Sequence, residues 1–321
     1  MSNQYPGLLA TLAAAMELAP LAEGKTKQLF GANQNNTLIY VVSKDDITAG
    51  DGAKHDIVRD KGKLSTQTTC NVFRLLQNAG IPKPFDIPLA FIEQVSADAF
   101  LAYDCEMLPY EIVVRREAHG SYLKRNPGCE KGTYFADLIS EVFLKTNGKV
   151  WGDYDLPCDD PLLIIDHNGM ICLHRPDIPV DTDAPFLRMK TEEVFTQADE
   201  LALIDRMQAI AKQVFSILEL AWCRLGHKLV DFKVEFGMDE HGNLLLADVI
   251  DNDSWRLTKD GAYVDKQVYR DGGEMSEVEA KYNAVAMLTD QFPVGKELTH
   301  GRADDPSVST YCPARECYGS S

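Results

Sequence analysis

The sequence predicts an α+β protein, with hairpin-forming strands and long helices segregated along the chain. Short apolar runs separated by turn residues mark strand pairs at Lys27–Phe30 with Leu38–Ser43, within 161–176, and within 229–247. Apolar residues at helical spacing mark helices from about Leu64 to Ala79, Glu192 to Leu225 and Glu277 to Phe292. This segregation favours α+β over a doubly wound parallel sheet.

Each element follows from its residues. Leu8–Leu18 is rich in Ala and Leu, lacks preceding basic residues and is too short to span a bilayer. It reads as a short amphipathic helix packed on the body. The first two strands flank the turn-rich Gly31-Ala-Asn-Gln-Asn-Asn36, and Asp45–Lys63, dense in Gly, Asp and Lys, reads as a loop. The next helix is closed by Gly80 and cannot continue past Pro82. Glu111–Glu117 reads as a mostly buried strand delivering Arg115 and Arg116. Two apolar runs around Asp166-His-Asn-Gly169 carry a hairpin signature. The longest helix has a core-facing stripe including Leu201, Ile204, Met207, Val214 and Leu218, a possible Thr191 cap, and Gly226 at its end. Ser276 and Glu279 have capping-box spacing for the last helix. The Gly-, Pro- and Ser-rich tail, 293–321, reads as weakly ordered or draped over the surface.

Composition excludes several classes. With 32 basic and 49 acidic residues among 321, the net charge is −17, which disfavours non-specific binding to nucleic acid. It does not exclude small anionic substrates held in a local basic pocket. Hydrophobic residues make up 45% and charged residues 25%, a balance suited to a folded soluble chain. Eight cysteines without a CxxC pair suit unpaired thiols and a cytoplasmic location, and no HExxH supports a zincin site.

The most informative stretch is Leu229–Phe236. Strand alternation places Asp231, Lys233 and Glu235 on one face and Val230, Phe232, Val234 and Phe236 on the other. Asp248 follows a second apolar strand, Asn243–Ala247, and antiparallel pairing would bring it near Lys233 and Glu235. Two carboxylates beside a lysine suit Mg²⁺ shared with a triphosphate, although a wetted surface strand has the same alternation. Gly24-Lys25-Thr26 lacks the first Gly of a Walker A loop, and Gly50-Asp-Gly52 lacks the third Gly of a dinucleotide fingerprint. Arg115, Arg116, Gly120, Ser121, Lys124 and Arg125 form a basic cluster suited to a phosphate or carboxylate, or to ion pairs with the surplus acids.

Taken together, six segments resemble the SAICAR synthetase (phosphoribosylaminoimidazole-succinocarboxamide synthase) family. They are Glu-Gly-Lys-Thr-Lys at 23–27, Ile-Thr-Ala-Gly-Asp-Gly-Ala-Lys at 47–54, Glu-Met-Leu-Pro-Tyr-Glu-Ile-Val-Val-Arg-Arg at 106–116, Gly-Ser-Tyr-Leu-Lys-Arg-Asn-Pro-Gly at 120–128, Asp-Phe-Lys-Val-Glu-Phe-Gly at 231–237, and Ala-Asp-Val-Ile-Asp-Asn-Asp-Ser-Trp-Arg-Leu at 247–257. The last looks like the synthetase half of the animal bifunctional purine enzyme. The resemblance implies a two-lobed α+β fold with an ATP-grasp or kinase-like nucleotide cleft. Its expected parts are an N-terminal helical extension (1–20), a small β-rich ATP lobe (21–110), a larger substrate and metal lobe (111–292) and a tail (293–321).

It also implies a ligase that joins L-aspartate to the carboxylated aminoimidazole ribotide CAIR, using ATP and Mg²⁺ and acting as a monomer or homodimer without nucleic-acid or membrane partners. By motif position, Gly24, Lys25, Lys27 and Lys145 are expected at ATP. Glu235 and Asp248 are expected at Mg²⁺, with Lys233 completing the catalytic set. Arg115, Ser121, Asp253 and Arg256 are expected at the ribotide, and Thr48, Gly50, Asp51 and Gly52 on a mobile substrate loop. Lys145 and Asp160-Pro161 lie farther apart than in the family pattern, and the hairpin at 162–174 reads as an insertion. A different ATP-dependent carboxylate–amine ligase or small-molecule kinase, and a non-catalytic nucleotide-binding protein, are the competing readings.

Overall fold

The computed structural model describes residues 11–49, 54–79, 87–146, 148–190 and 200–293. In chain order its elements are α1 (Leu12–Met16), β1 (Ala22–Glu23), β2 (Lys27–Gly31), β3 (Leu38–Ser43), β4 (Asp46–Ala49), β5 (Lys54–Ile57), α2 (Lys61–Gln77), β6 (Phe91–Gln94), β7 (Ala99–Tyr103) and β8 (Glu106–Glu117). There follow α3 (Ser121–Arg125), β9 (Tyr134–Leu144), β10 (Val150–Trp151), β11 (Tyr154–Asp155), β12 (Leu162–Ile165), β13 (Met170–His174), β14 (Leu187–Lys190), α4 (Glu200–Arg224) and β15 (Lys228–Met238). The chain continues through β16 (Leu244–Ala247), β17 (Trp255–Lys259), β18 (Ala262–Tyr263), α5 (Gln267–Arg270) and α6 (Met275–Thr289).

The chain forms two compact units that are not contiguous in sequence. Unit 1 comprises 1–107, 217–228 and 237–321; unit 2 comprises 108–216 and 229–236. Thus 237–293 groups with the N-terminal strands, whereas the lobes expected from sequence were continuous stretches.

Unit 1 contains an antiparallel sheet in the order β1-β2-β3-β7-β6. Phe30, Leu38, Tyr40, Val42, Ala99 and Leu101 are buried in one cluster with Ala15 of α1. The stretch expected to be a loop instead contains the β4–β5 hairpin, with Asp46 opposite Ile57 and Thr48 opposite His55. Ile47 explains the difference: it is fully buried with Val58, Tyr269, Val278 and Tyr282, and that burial organises the polar residues around it. Helix α2 begins three residues earlier than its apolar spacing suggested and packs on α6. Helix α6 does not use the expected capping box; it starts at Met275 after Glu274, which makes no side-chain cap bond.

Unit 2 contains a sheet in the order β14-β13-β12-β9-β8-β15. The expected hairpin is present as β12–β13, with Leu162 opposite His174 and Ile165 opposite Ile171. Leu162 also pairs with Phe143 of β9 and is buried with it and Val113. Strand β9 and strand β14 carried no clear sequence signal. The alternation in β15 is as expected for Phe232, Val234 and Phe236, which are buried, and for Lys233 and Glu235, which are partly accessible.

Helix α4 carries the anticipated buried stripe, including Ile204, Met207, Val214 and Leu218, and Gly226 (φ +71°) follows its end. Its expected start at Glu192, the Gly80 and Pro82 stop, and almost all of the tail lie outside the described residues. Cys70, Cys105, Cys129, Cys158 and Cys172 are free thiols, but Cys223 is disulfide-bonded, a departure from the unpaired pattern expected.

Candidate active site

In unit 1, Gly24–Lys27 forms the tight turn joining β1 to β2. The Gly24 N–H donates to the Lys27 carbonyl at 2.9 Å, and the Lys44 N–H donates to Thr26 at 2.7 Å. The side chain of Lys25 is exposed, whereas Lys27 makes an ion pair with Asp248. Asp248 directly follows β16 and has φ +60°, a left-handed conformation uncommon for a residue other than glycine. The turn and the ion pair bring three expected ATP residues (Gly24, Lys25 and Lys27) and one expected metal ligand into one unit.

The loop after β16 is polar and buried. Asp251 receives the Asp253 N–H at 2.8 Å, and Ser254 Oγ accepts the Asp251 N–H at 3.2 Å. Asp253 then accepts from Lys266 Nζ at 2.9 Å and from the Tyr282 hydroxyl, with Lys61 Nζ at 3.6 Å. Burial opposes ionisation of Asp253, but Lys61 and Lys266, with the Tyr282 hydroxyl, hold its pKa below the ordinary carboxylate value. Asp251 moves upward because it is buried and faces the Asp253 charge. Burial also lowers the pKa of Lys266, although Asp253 opposes that shift. The amide atoms of the buried Asn252 have no hydrogen-bond partner among the described residues. Arg256 Nε points to Gln267 Oε1 at 3.4 Å.

In unit 2, each charged residue on the polar face of β15 is tied to a partner of opposite charge. Glu235 accepts from Lys145 Nζ at 2.5 Å, Lys233 donates to Glu111 at 2.7 Å, and Asp231 accepts from Arg115 at 2.6 Å. Arg115 also donates to Glu141 at 2.6 Å, and its other terminal nitrogen lies 3.5 Å from Ser121 Oγ. Burial disfavours the Arg115 charge, but Asp231 and Glu141 outweigh it and raise its pKa. Gly120, at φ +59°, turns the chain into α3 and places Ser121 at its start.

The basic cluster therefore divides by environment. Arg116 donates to the carbonyls of Phe135 and Ala136 at 2.9 and 2.8 Å, and Arg125 binds Glu141 and the Pro176 carbonyl. Arg115 and Ser121 are the adjacent pair among the expected ribotide residues. Thr48 lies on β4, while Gly50, Asp51 and Gly52 lie outside the described residues.

Sequence reasoning did not single out Glu111, Glu141, Lys61, Lys266 or Tyr282. Alternation in β15 could have flagged Asp231 as a partner for arginine, but the lysines and tyrosine come from distant segments with no local motif. Among the described residues, no group of three or more His, Cys, Asp and Glu forms a metal cage. Asp248 and Glu235 are nevertheless hard oxygen donors, each balanced by a lysine. Their chemistry fits Mg²⁺, which commonly takes one or two protein carboxylates and completes its coordination with phosphate and water.

The SAICAR synthetase family model matches residues 20–160 and 182–287. Its interruption at 161–181 contains the β12–β13 hairpin expected as an insertion. A phosphoribosylaminoimidazole-succinocarboxamide synthase of Herpetosiphon aurantiacus is 35% identical over 280 residues, covering 85% of this chain and 97% of that protein. A probable multifunctional protein ADE2 of Caenorhabditis elegans is 36% identical over 304 residues, covering 91% of this chain and 63% of that longer protein. A solved SAICAR synthetase in complex with ADP aligns with TM-score 0.63 and 26% identity, covering 85% of this chain and 98% of the other. The mixed α and β architecture is thus shared with solved members, and the family match spans both compact units. This chain belongs to the SAICAR synthetase family.

Proposed function

We propose that this chain applies the family's ATP-dependent ligation of L-aspartate to CAIR through residues held by the two lysine–carboxylate pairs, Lys27–Asp248 and Lys145–Glu235. In the first step a CAIR carboxylate oxygen attacks the γ-phosphorus of ATP, forming an acyl phosphate and releasing ADP. In the second the aspartate amine attacks the acyl carbon, phosphate leaves, and the amine loses a proton to give the amide of SAICAR. A carboxylate is a poor electrophile, so the phosphoryl group supplies the leaving group that amide formation requires. Catalysis then rests on positioning and charge neutralisation.

The reading assigns Gly24, Lys25, Lys27 and Lys145 to ATP, in a manner related to kinases and ATP-grasp enzymes. Arg115, Ser121, Asp253 and Arg256 are assigned to the ribotide, and Thr48-Ala-Gly-Asp-Gly52 to a substrate loop. Glu235 and Asp248 would hold Mg²⁺, which when bound would neutralise phosphate charge, with Lys233 as a further catalytic cation. The observation that carries the reading is the family match together with lysine-paired carboxylates at both expected metal positions. We assign the protein to a cytoplasmic setting, with five described cysteines free and Cys223 disulfide-bonded. No helix among the described residues is long and apolar enough to cross a membrane. We assign the acting form to a monomer or homodimer.

A coupled assay of SAICAR formation tests this reading, with ATP, CAIR, aspartate and Mg²⁺ omitted in turn. Product is expected only when all four are present, and Glu235→Ala or Asp248→Asn is expected to reduce turnover about 100-fold or more. Phosphate release independent of aspartate would overturn this reading, whereas ADP formation with the phosphoryl group retained on the acceptor would point to a kinase. Undiminished SAICAR formation by Glu235→Ala would remove that residue from the metal assignment.

A further inference from the structure

We propose that Lys61, Lys266 and Tyr282 are positioning residues that hold the Asp253 carboxylate for substrate, a role that deepens the ribotide assignment of Asp253 made above. The four residues are far apart in the sequence. Lys61 opens α2, Lys266 precedes α5, Tyr282 lies on α6, and Asp253 is in the loop after β16, yet all meet within unit 1. Lys266 Nζ donates to Asp253 Oδ2 at 2.9 Å, Lys61 Nζ is 3.6 Å from that oxygen, and the Tyr282 hydroxyl donates to Oδ1. Each carboxylate oxygen therefore has a different anchor, which fixes the plane of the group as well as its location.

The anchors are buried while their target retains an open edge. Lys61, Lys266 and Tyr282 are 2%, 7% and 1% exposed, whereas the Asp253 side chain is 17% exposed. A carboxylate has about four acceptor positions, so the contacts to these anchors leave acceptor capacity for a ligand hydroxyl or amine. Two buried ammonium groups around one partly accessible carboxylate are more than a simple surface pair requires. Their arrangement suits a group that must stay charged and oriented while its surroundings exclude water.

The electrical surroundings support this role. Lys61 and Lys266 keep Asp253 ionised against the effect of burial. Burial and the neighbouring Asp253 charge raise the pKa of Asp251 in the same loop. Burial and the facing Asp253 and Asp251 charges raise the Tyr282 pKa, preserving the hydroxyl proton it donates. Arg270 of α5 adds another positive charge near Lys266 and Tyr282. Tyr282 also packs with Ile47, Val58, Tyr269 and Val278, so the apolar core holds the ring that aims the hydroxyl.

Lys266→Met and Tyr282→Phe carry the test because removal of the more buried Lys61 risks unfolding. Tyr282→Phe keeps the packed ring and removes the hydrogen bond. In the full chain, with melting curves checking the fold, both variants are expected to lower kcat/KM for CAIR on the order of 10-fold. In Lys266→Met, the acidic limb of the pH profile and the Asp253 titration followed by carboxyl carbon NMR should both move up by about 1–3 pH units. Lys266→Arg should restore much of that displacement. A uniform loss of activity with neither limb nor titration moved would overturn the positioning role. If Asp253 titration moves but Asp253→Asn retains full kcat/KM for CAIR, the anchors exist without a substrate role and the ribotide assignment fails. If both variants match the wild type in titration and kinetics, the positioning role fails while the family reaction stands.

Discussion

The guanidinium of Arg115 is shared between Asp231 and Glu141 at 2.6 Å each and is 3% exposed. A residue expected to contact ribotide is therefore also the counter-charge for the buried Asp231 and the partly buried Glu141. Removing one partner from a buried ion pair costs about 3–5 kcal/mol because the remaining charge cannot recover its water. Arg115→Met is accordingly expected to lower the urea-unfolding midpoint strongly in the absence of substrate. Arg115→Lys should recover only part of that stability, since an ammonium cannot reproduce the planar fork joining two carboxylates. Equal midpoints for wild type and Arg115→Met would assign the pairs no structural role.

At the scale of elements, the start of α2 depends on glycine for space. A Cβ on Gly62 would stand 2.8 Å from the Ser43 carbonyl oxygen and 3.1 Å from its carbon, while the Gly62 N–H donates to Asp45 at 2.9 Å. In an open helix, alanine would improve helix propensity by about 1 kcal/mol. Here backbone overlap reverses the sign, so Gly62→Ala is expected to destabilise by about 1–3 kcal/mol. A higher thermal midpoint for that variant would contradict the steric argument. In unit 2, Leu162 joins the inserted hairpin to β9 and packs with Val113 and Phe143. Leu162→Ala should cost about 2–5 kcal/mol, measured by denaturant unfolding, because it leaves a cavity at this contact. A negligible change would mean that the hairpin can detach without affecting the sheet.

At the scale of the whole molecule, Asp265 should make stability depend on pH. Burial raises its carboxyl pKa to about 7, against opposing hydrogen bonds from the Gln267 and Leu257 N–H groups and the charges of Arg270 and Arg256. The folded state thus binds this proton more tightly than the unfolded chain. Its stabilising contribution is complete below the unfolded value near 3.8 and is lost as pH rises through about 7. Asp265→Asn should remove a slope approaching about 1.4 kcal/mol per pH unit within that window. Denaturant unfolding at pH values between 4 and 7 checks the difference; identical slopes would remove Asp265 as its source.

The sequence by itself determined the family, the hairpins at 27–43 and 162–174, and the two faces of β15. Those signals are local: residue order carries motifs, and a period of two sorts a strand's residues between its two faces. Asp45–Lys63 was less legible because the hairpin is organised by Ile47 meeting Tyr269 and Tyr282, residues far along the chain. The capping-box spacing at Ser276 likewise gave way to an earlier helix start at Met275. Only the tertiary structure decided that Glu235 meets Lys145, that Lys233 meets Glu111, and that Asp253 is held by Lys61, Lys266 and Tyr282. Sequence specifies which groups can carry charge, whereas burial and partner choice arise when distant segments pack and exclude water.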